Sequence, residues 1–360
     1  MGITVTGGIQ FGSGFSIISG SSSPASSYYL ALGGETTPYI IVYPWSSSGY
    51  GSKFADPSTA PNAVMPAIQF SNSGSALLGS STSSPWQVGY RWSSSGFGTK
   101  FNNPSTLPGN QVRDFAFTPT DDAVIVGWVL TSPYLSAFTW SNTDGYGTKF
   151  SDPATGPTAG VYGATFNAPG NTLALAHEGS PYISVYQWSS SGFGTKYANP
   201  ATLPPNIGSE VRFTPSGNAI IVGCYTTSPY IAAYAWSGAG FGTKFADPST
   251  PLTSQSVDID INPAGDALAV ASSSSPWVVV YAWSSSGFGA KFSNPSTPVD
   301  GITGRGVAFS PLGTEIVSTN TKSPYVNTYT WSSSGFGTRY TNPVTLPPSA
   351  WSISFGTITA

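Results

Sequence analysis

Few side chains in this sequence could carry acid–base or nucleophilic catalysis. The only histidine is His177 and the only cysteine is Cys224, so a Ser-His-Asp or Cys-His arrangement would have to include one of them. Glu178 follows His177 directly, which is not the geometry of a catalytic triad. Cys224 continues an apolar run and is interpreted as a small buried residue. A histidine-based zinc site is excluded by count, and we expect no cofactor.

The carboxylates are scattered, although two segments hold three each. These six residues are Asp114, Asp121 and Asp122, and Asp258, Asp260 and Asp266. A catalytic pair of the glycosidase type therefore stays open. Active sites usually lie on loops that vary around a regular scaffold, and no long insertion interrupts this sequence. We therefore predict no enzymatic activity.

Basic residues recur at one place in a repeated segment. Seven of the 12 lysines and arginines are involved: Lys53, Lys100, Lys149, Lys196, Lys244, Lys291 and Arg339. An exposed lysine on an edge strand discourages pairing between sheets, and a ring of equivalent cations could also bind a partner. We treat these seven residues, the basic ring, as a candidate interaction site, with a solvated edge as the alternative.

Each repeated segment also holds an Asp or Asn before a proline. The seven positions are Asp56, Asn103, Asp152, Asn199, Asp247, Asn294 and Asn342. Asp and Asn alternate here, and both can accept the hydrogen bond of an Asx turn. We therefore predict a structural role for them.

A tryptophan in the motif W-S-S-S-G-F-G-T-K sets the period of the repeat. It occurs at Trp45, Trp92, Trp140, Trp188, Trp236, Trp283 and Trp331, at spacings of 47 or 48 residues. Each repeat contains four short strand-like segments separated by Gly, Pro and Ser, without helical periodicity. Four strands per repeat of this length predict one blade of a β-propeller.

The segment before each tryptophan is apolar on both faces. In one repeat Tyr182, Tyr186 and Trp188 share one face, and Ile183 and Val185 lie on the other. Burial on both faces suits a blade between two neighbouring blades. The sequence therefore predicts an all-β fold, a single seven-bladed propeller over residues 1–360, with residues 1–20 as a candidate N-terminal extension.

The termini predict how the ring closes. The first repeat lacks a first strand, and Trp351 to Phe355 resembles one. We expect this C-terminal segment to pair with the N-terminal segment in one blade, which removes a free sheet edge. Gly14 to Ile18 is a competing closure strand.

Composition excludes several classes of protein. Charged residues make up 8% and aromatic residues 14%, which favours a large core over disorder. The net charge of −3 gives no general affinity for nucleic acid. No apolar run is long enough for a membrane span, and the N-terminus lacks the basic and apolar regions of a signal peptide.

The repeat resembles known propeller families. Phe213-Thr214-Pro215-Ser216-Gly217 is similar to the F-S-P-D-G turn of WD40 repeats, although the Gly-His and Trp-Asp signatures are missing. The unit S-P-Y-I-x-x-Y-x-W-S-S-S-G-F-G-T-K-F-x-N-P resembles WD40-like repeats encoded by tailed bacteriophages, particularly aquatic ones. The resemblance covers all seven repeats and implies a phage particle component, with no catalytic residues to carry over.

Two functional classes follow from this resemblance. The first is a non-enzymatic virion protein, of the capsid or tail, that docks on other virion proteins and contributes to host attachment. The alternative is a lectin-like propeller that binds host-surface glycans through its repeated Tyr and Ser residues. Both predict a protein located in the virion, without nucleic-acid binding or membrane insertion.

Overall fold

A computed structural model describes residues 27–358, and this part of the chain is all-β. Its 28 strands form seven antiparallel sheets of four strands. Each sheet is one blade, and the innermost strands of successive blades contact one another around a closed circle. The prediction of a seven-bladed propeller with four-stranded blades is confirmed. No helix in these residues is long and apolar enough to span a bilayer.

The strand bounds follow the repeat. Blades 1 to 4 contain, in chain order, β1 (Ser27–Gly33), β2 (Ile40–Ser46), β3 (Gly49–Tyr50), β4 (Ile68–Phe70), β5 (Ala76–Ser80), β6 (Gln87–Ser93), β7 (Gly96–Lys100), β8 (Val112–Phe117), β9 (Ala123–Trp128), β10 (Leu135–Ser141), β11 (Gly145–Lys149), β12 (Val161–Phe166), β13 (Thr172–His177), β14 (Ile183–Ser189) and β15 (Gly192–Lys196). Blades 5 to 7 and the final strand are β16 (Gly208–Phe213), β17 (Ala219–Cys224), β18 (Ile231–Ser237), β19 (Gly240–Lys244), β20 (Ser256–Ile261), β21 (Ala267–Ser272), β22 (Val278–Ser284), β23 (Gly287–Lys291), β24 (Gly304–Phe309), β25 (Glu315–Asn320), β26 (Val326–Ser332), β27 (Gly335–Arg339) and β28 (Ser352–Ile358).

Blade 1 is built from both ends of the described chain. Strand β28 is its innermost strand and pairs antiparallel with β1, from Ser27 opposite Ile358 to Gly33 opposite Ser352. The predicted closure by the C-terminal segment is confirmed. The competing strand at residues 14–18 and the candidate extension at residues 1–20 lie outside the described residues.

The motif tryptophans lie between blades. All seven are 4–7% exposed. Trp188 contacts three rings edge-on: Phe150 of the preceding blade at 5.3 Å, Phe166 of its own innermost strand at 5.3 Å, and Phe193 of its own hairpin at 5.0 Å. Edge-to-face pairs of this kind add to the free energy of burial. The prediction that these tryptophans are buried is confirmed, and they join adjacent blades.

The aromatic residue two positions before each tryptophan is buried as well. Tyr186 is fully buried, and its hydroxyl donates to the carbonyl of Thr155 in the preceding repeat at 2.8 Å. Tyr90 and Tyr281 make the same bond to Thr59 and Thr250. Each hydroxyl therefore ties its own blade to the loop that leaves the blade before it.

The third strand of each blade begins later than the sequence indicates. In blade 4 it begins at Ile183, whereas Pro181 and Tyr182 lie in a tight turn in which the N–H of Tyr182 donates to the carbonyl of Gly179. Tyr182 has a φ of 68°, a conformation that a strand residue does not adopt. The aromatic at this position is therefore a turn residue.

Candidate functional site

The innermost strands surround a central channel, and five of them carry a β-bulge. In β8 the register passes from Val112 opposite Trp128 to Asp114 opposite Gly127, which leaves Arg113 unpaired. A bulge of this kind redirects side chains and is frequent beside active sites. The five extra residues are Arg113, Tyr162, Ser209, Val257 and Arg305.

Two cavities lie along the channel, and we name them the upper and the lower cavity. The upper cavity measures about 140 Å³, and its lining includes Arg113, Asp114, Tyr162, Glu210, Arg305 and Trp351. The lower cavity measures about 580 Å³, and its polar lining includes Gln69, Thr165, Asp260 and Ser354. Gln69, Arg212, Asp258 and Ile353 line both cavities and so mark the boundary between them.

Three channel carboxylates have a structural task. Innermost strands leave backbone N–H groups unpaired along the channel. Asp114 accepts a hydrogen bond from the N–H of Ala164 at 2.8 Å, and Asp258 accepts one from Val307 at 3.0 Å. Asp260 accepts one from Phe309 at 2.7 Å. In each case the donor belongs to the next blade, so these side chains join neighbouring blades.

Glu210 differs from these three residues. Its Oε1 accepts hydrogen bonds from its own neighbours, the N–H of Val211 at 2.9 Å and the guanidinium of Arg212. Within residues 27–358 no protein group donates to its Oε2. This oxygen is therefore available to a ligand in the upper cavity.

Several carboxylates lie near the guanidinium of Arg212. Arg212 contacts Glu210 and lies 4.0 Å from Asp258. Burial raises the pKa of Asp114 to about 7, against the opposing effects of Arg212 and the N–H of Ala164. Burial also raises the pKa of Glu210 well above its ordinary value, and the negative charge of Asp114 adds to the rise. At neutral pH the cluster therefore holds both protonated and ionised carboxyl groups.

A glycine makes room for Glu210. Gly163 of β12 occupies the register position that Asp114, Glu210 and Asp258 hold in their own blades. A Cβ at Gly163 would lie 2.7 Å from Oε1 and 2.8 Å from Cα of Glu210. Any side chain larger than hydrogen at this position must therefore displace the Glu210 backbone.

We expect Gly163→Ala to lower the free energy of unfolding by about 1–3 kcal/mol, the usual effect of overpacking. Urea denaturation measures this change. Gly156→Ala in the loop before the same blade is the matched control, because no atom lies within 4 Å of its Cβ position. Equal unfolding midpoints for the two variants would contradict the close approach.

The basic ring lies outside the channel: Lys53 follows β3, and the other six residues end the outermost strands of their blades. Lys53 and Lys291 contact Asp56 at 2.5 Å and Asn294 at 2.6 Å, and Lys149, Lys196 and Lys244 make the equivalent contacts within their own repeats. Arg339 pairs with Asp300 at 2.7 Å. Most of the ring is thus tethered to the Asx-Pro turns. A role for Lys53, Lys100, Lys149, Lys196, Lys244, Lys291 and Arg339 in binding stays a prediction.

The single histidine does not reach the channel site. His177 is fully buried at the end of β13, where its Nε2 lies 2.9 Å from Oγ of Ser184. Burial lowers its pKa to about 4, so the ring is neutral at physiological pH. Within residues 27–358 no group of three or more His, Cys, Asp or Glu side chains is arranged to hold a metal ion.

Three members of the channel cluster could be identified from the sequence, and four could not. Asp114, Asp258 and Asp260 were noted as scattered carboxylates, whereas Glu210, Arg113, Arg212 and Arg305 were not singled out. The signal that could have identified these residues is a charged side chain within an otherwise apolar strand segment. Only five basic residues lie outside the ring, and these three arginines are among them, each on an innermost strand.

Comparisons with solved structures place the fold among known propellers. The periplasmic gluconolactonase PpgL of Pseudomonas aeruginosa matches with a TM-score of 0.68 at 15% identity, over 92% of this chain and 99% of that one. A candidate 6-phosphogluconolactonase of Bacteroides fragilis matches with a TM-score of 0.69 at 11% identity, over 93% and 99%. The Cps50 (Swd1) β-propeller domain of Myceliophteria thermophila matches with a TM-score of 0.61 at 11% identity, over 84% and 94%. No family profile and no curated protein matches the chain.

These likenesses show a WD40-like propeller fold, and they correct two predictions. The prediction of a virion protein rested on the phage-like repeat, and the prediction of no enzymatic activity rested on the scarcity of catalytic groups and the absence of a long insertion. Propellers of nearly the same extent carry the names of lactonases, so a regular repeat without long loops does not exclude an enzyme, and these structures give no support to a location in a phage particle. The physical reason is that single substitutions on innermost strands can build a polar channel without altering the repeat length.

Proposed function

We propose that this protein is a hydrolase that opens a small cyclic ester, the lactone of a hydroxylated acid, in the upper cavity. The observation that carries the proposal is the Asp114–Glu210 pair, two carboxyl groups with raised pKa values that line one accessible cavity. The names of the similar propellers supply the substrate class. The phage origin suggested by the repeat stays a separate prediction about the source of the chain.

The two carboxyl groups suit different steps of ester hydrolysis. An acid with a pKa near 7 is a good general base at neutral pH, which fits Asp114. Burial raises the pKa of Glu210 well above its ordinary value, and no protein group within residues 27–358 donates to its Oε2. We therefore assign Glu210 as the general acid, with Oε2 as the oxygen that carries the proton. This division resembles other sites in which two carboxyl groups are held in different protonation states.

The reaction balances with water as the only co-reactant. The oxygen of a water molecule bonds to the carbonyl carbon of the lactone while Asp114 takes one proton from the water. The guanidinium groups around the cavity stabilise the resulting oxyanion. The ring C–O bond then breaks, and Glu210 gives its proton to the leaving oxygen. The product is the open hydroxy acid, and the proton held by Asp114 returns to Glu210 through solvent.

The test is hydrolysis of glucono-lactone and its 6-phosphate by the purified protein, followed as acid release in a pH-stat after subtraction of the buffer rate. We expect saturable turnover that rises as the pH passes about 7, because Asp114 must lose its proton to act as a base. Asp114→Asn and Glu210→Gln should each lower kcat by about 10²–10⁴-fold.

Asp260→Asn is the matched control. Asp260 also accepts a hydrogen bond from the next blade, but it lines the lower cavity instead of the upper one. This variant should retain the wild-type kcat within about twofold, since Asp260 does not line the upper cavity and an amide oxygen can still accept the hydrogen bond from Phe309. The proposal is wrong if both lactones hydrolyse at the buffer rate, or if the Asp114→Asn, Glu210→Gln double variant remains fully active.

A further inference from the structure

Two arginines face the upper cavity from different blades at the same register position. Arg113 and Arg305 are the unpaired bulge residues of β8 and β24. Both are partly exposed and line the upper cavity. The bulges therefore bring two guanidinium groups to one cavity.

Neither guanidinium forms an ion pair within the described residues, although the charge of Glu35 acts on Arg305. Among the ion pairs of residues 27–358, the carboxylates of the channel pair with Arg212, and neither Arg113 nor Arg305 takes part in one. The Nε atoms of both residues are buried without a hydrogen-bond partner. Buried donors without partners are costly. The terminal N–H groups of these partly exposed side chains can donate to a ligand in the upper cavity.

Aromatic rings hold the two guanidinium planes. Arg113 lies 5.6 Å from the ring centre of Tyr162, and Arg305 lies 4.3 Å from the ring centre of Trp351. Tyr162 is itself held edge-on by Tyr225 at 5.5 Å. Stacking occupies the faces of a guanidinium and leaves its N–H edges free, and these edges match the oxygens of a phosphate or carboxylate.

We propose that Arg113 and Arg305 form an anion-binding clamp for an oxyanion group of the ligand, either a phosphate ester or a carboxylate. The proposal rests on the proposed function for the identity of the cavity, but binding of the anion requires no catalysis. It also refines the substrate class, because a lactone that carries an anionic group would bind more tightly than a neutral one.

Calorimetric titration with inorganic phosphate and, separately, with acetate at low ionic strength tests the clamp directly. We expect one phosphate per chain, with Kd raised about tenfold or more in Arg113→Gln and in Arg305→Gln, since each removes a charge-assisted hydrogen bond. Arg305→Lys keeps the charge but loses the planar fork, so its affinity should fall between wild type and Arg305→Gln. Tighter phosphate than acetate binding identifies a phosphate group as the ligand moiety, and the reverse order identifies a carboxylate.

Arg91→Gln is the matched control. Arg91 also lies over an aromatic ring, Phe101, at 5.6 Å, but it is on β6 away from the channel and bonds to Thr143. This variant should bind both anions like wild type, and phosphate should raise its Tm as it raises that of wild type. If a glutamine variant does not fold, the comparison of wild type, Arg305→Lys and Arg91→Gln still measures the effect.

The outcomes separate the two proposals. Wild type without saturable anion binding, or glutamine variants that bind as well as Arg91→Gln, would overturn the clamp even if lactones are hydrolysed. Anion binding that depends on Arg113 and Arg305 supports the clamp even if every lactone tested is inert, and in that case only the proposed function fails.

Discussion

Replacement of Arg212 by methionine should lower the free energy of unfolding by about 3 kcal/mol at pH 8, the lower end of the effect of breaking a buried ion pair. Arg212 is the guanidinium that pairs with Glu210 and approaches Asp258. The charges of Asp114, Asp258 and Asp260 also act on Arg212. Without it, these aspartates repel one another in a partly buried site once they are ionised, whether or not Glu210 holds a proton. The Arg212 side chain is 30% exposed. Solvent therefore screens its charge in part, and the loss of free energy falls at the lower end of the range for buried ion pairs.

The free energy of unfolding that Arg212→Met loses should be larger at high pH than at low pH. Burial raises the folded-state pKa values of Asp114 and Asp260 to about 7 and about 6, and burial also raises the pKa of Asp258. The folded state thus binds protons more tightly than the unfolded state, so these groups lower stability as the pH rises from about 4 to about 7. At pH 4.5 Asp114 and Asp260 are largely protonated, and Arg212→Met should therefore lower the free energy of unfolding by less than at pH 8.

Urea denaturation of wild type and Arg212→Met at both pH values measures this difference. Arg91→Met is the control, because Arg91 is exposed and belongs to no ion pair of the described residues; its effect should be small and independent of pH. A loss for Arg212→Met that is equal at pH 4.5 and pH 8 would show that charge repulsion is not its cause.

Removal of strand β28 should abolish cooperative folding. A chain that ends at Ala350 lacks the innermost strand of blade 1, and β1 then loses its partner along the whole of its length. Phe355 also packs at 6.1 Å from Trp45, and the N–H of Phe70 in blade 2 donates to Ser354 at 3.0 Å. An open ring exposes two blade faces and a free sheet edge, which favours aggregation.

Circular dichroism during thermal unfolding tests this expectation. The truncated chain should show no cooperative transition, whereas a chain that ends at Ile358 should unfold like the full-length protein. A cooperative transition in the chain that ends at Ala350, with a Tm within a few degrees of full length, would mean that the other six blades are stable without closure.

The outer three strands of each blade could be predicted from the sequence because their chemistry repeats. Trp188, Tyr186 and Gly192 recur in every blade in equivalent or similar form, and the same burial requirement acts on each copy. The turn at Tyr182 was predicted as strand, because an aromatic at an even offset satisfies the period of a strand even when φ is positive.

The channel site could not be assembled from the sequence in the same way. Asp114, Glu210 and Asp258 stand 96 and 48 residues apart and share a site only because blades 3, 5 and 6 meet at the axis. The bulges shift the register by one residue, so alternation along β8 does not show that Arg113 and Asp114 both line the cavity. An active site was expected on long loops, and these innermost strands carry none.

The bulges of the innermost strands have a consequence for how such a protein can change. The residue at each bulge takes no part in the pairing of its blade, and the interblade tryptophans lie on other strands. Selection or laboratory evolution could therefore vary the partly exposed residues Arg113, Tyr162, Val257 and Arg305 with little effect on strand pairing, whereas Ser209 is buried. One scaffold could in this way yield a library of propellers with different ligand preferences.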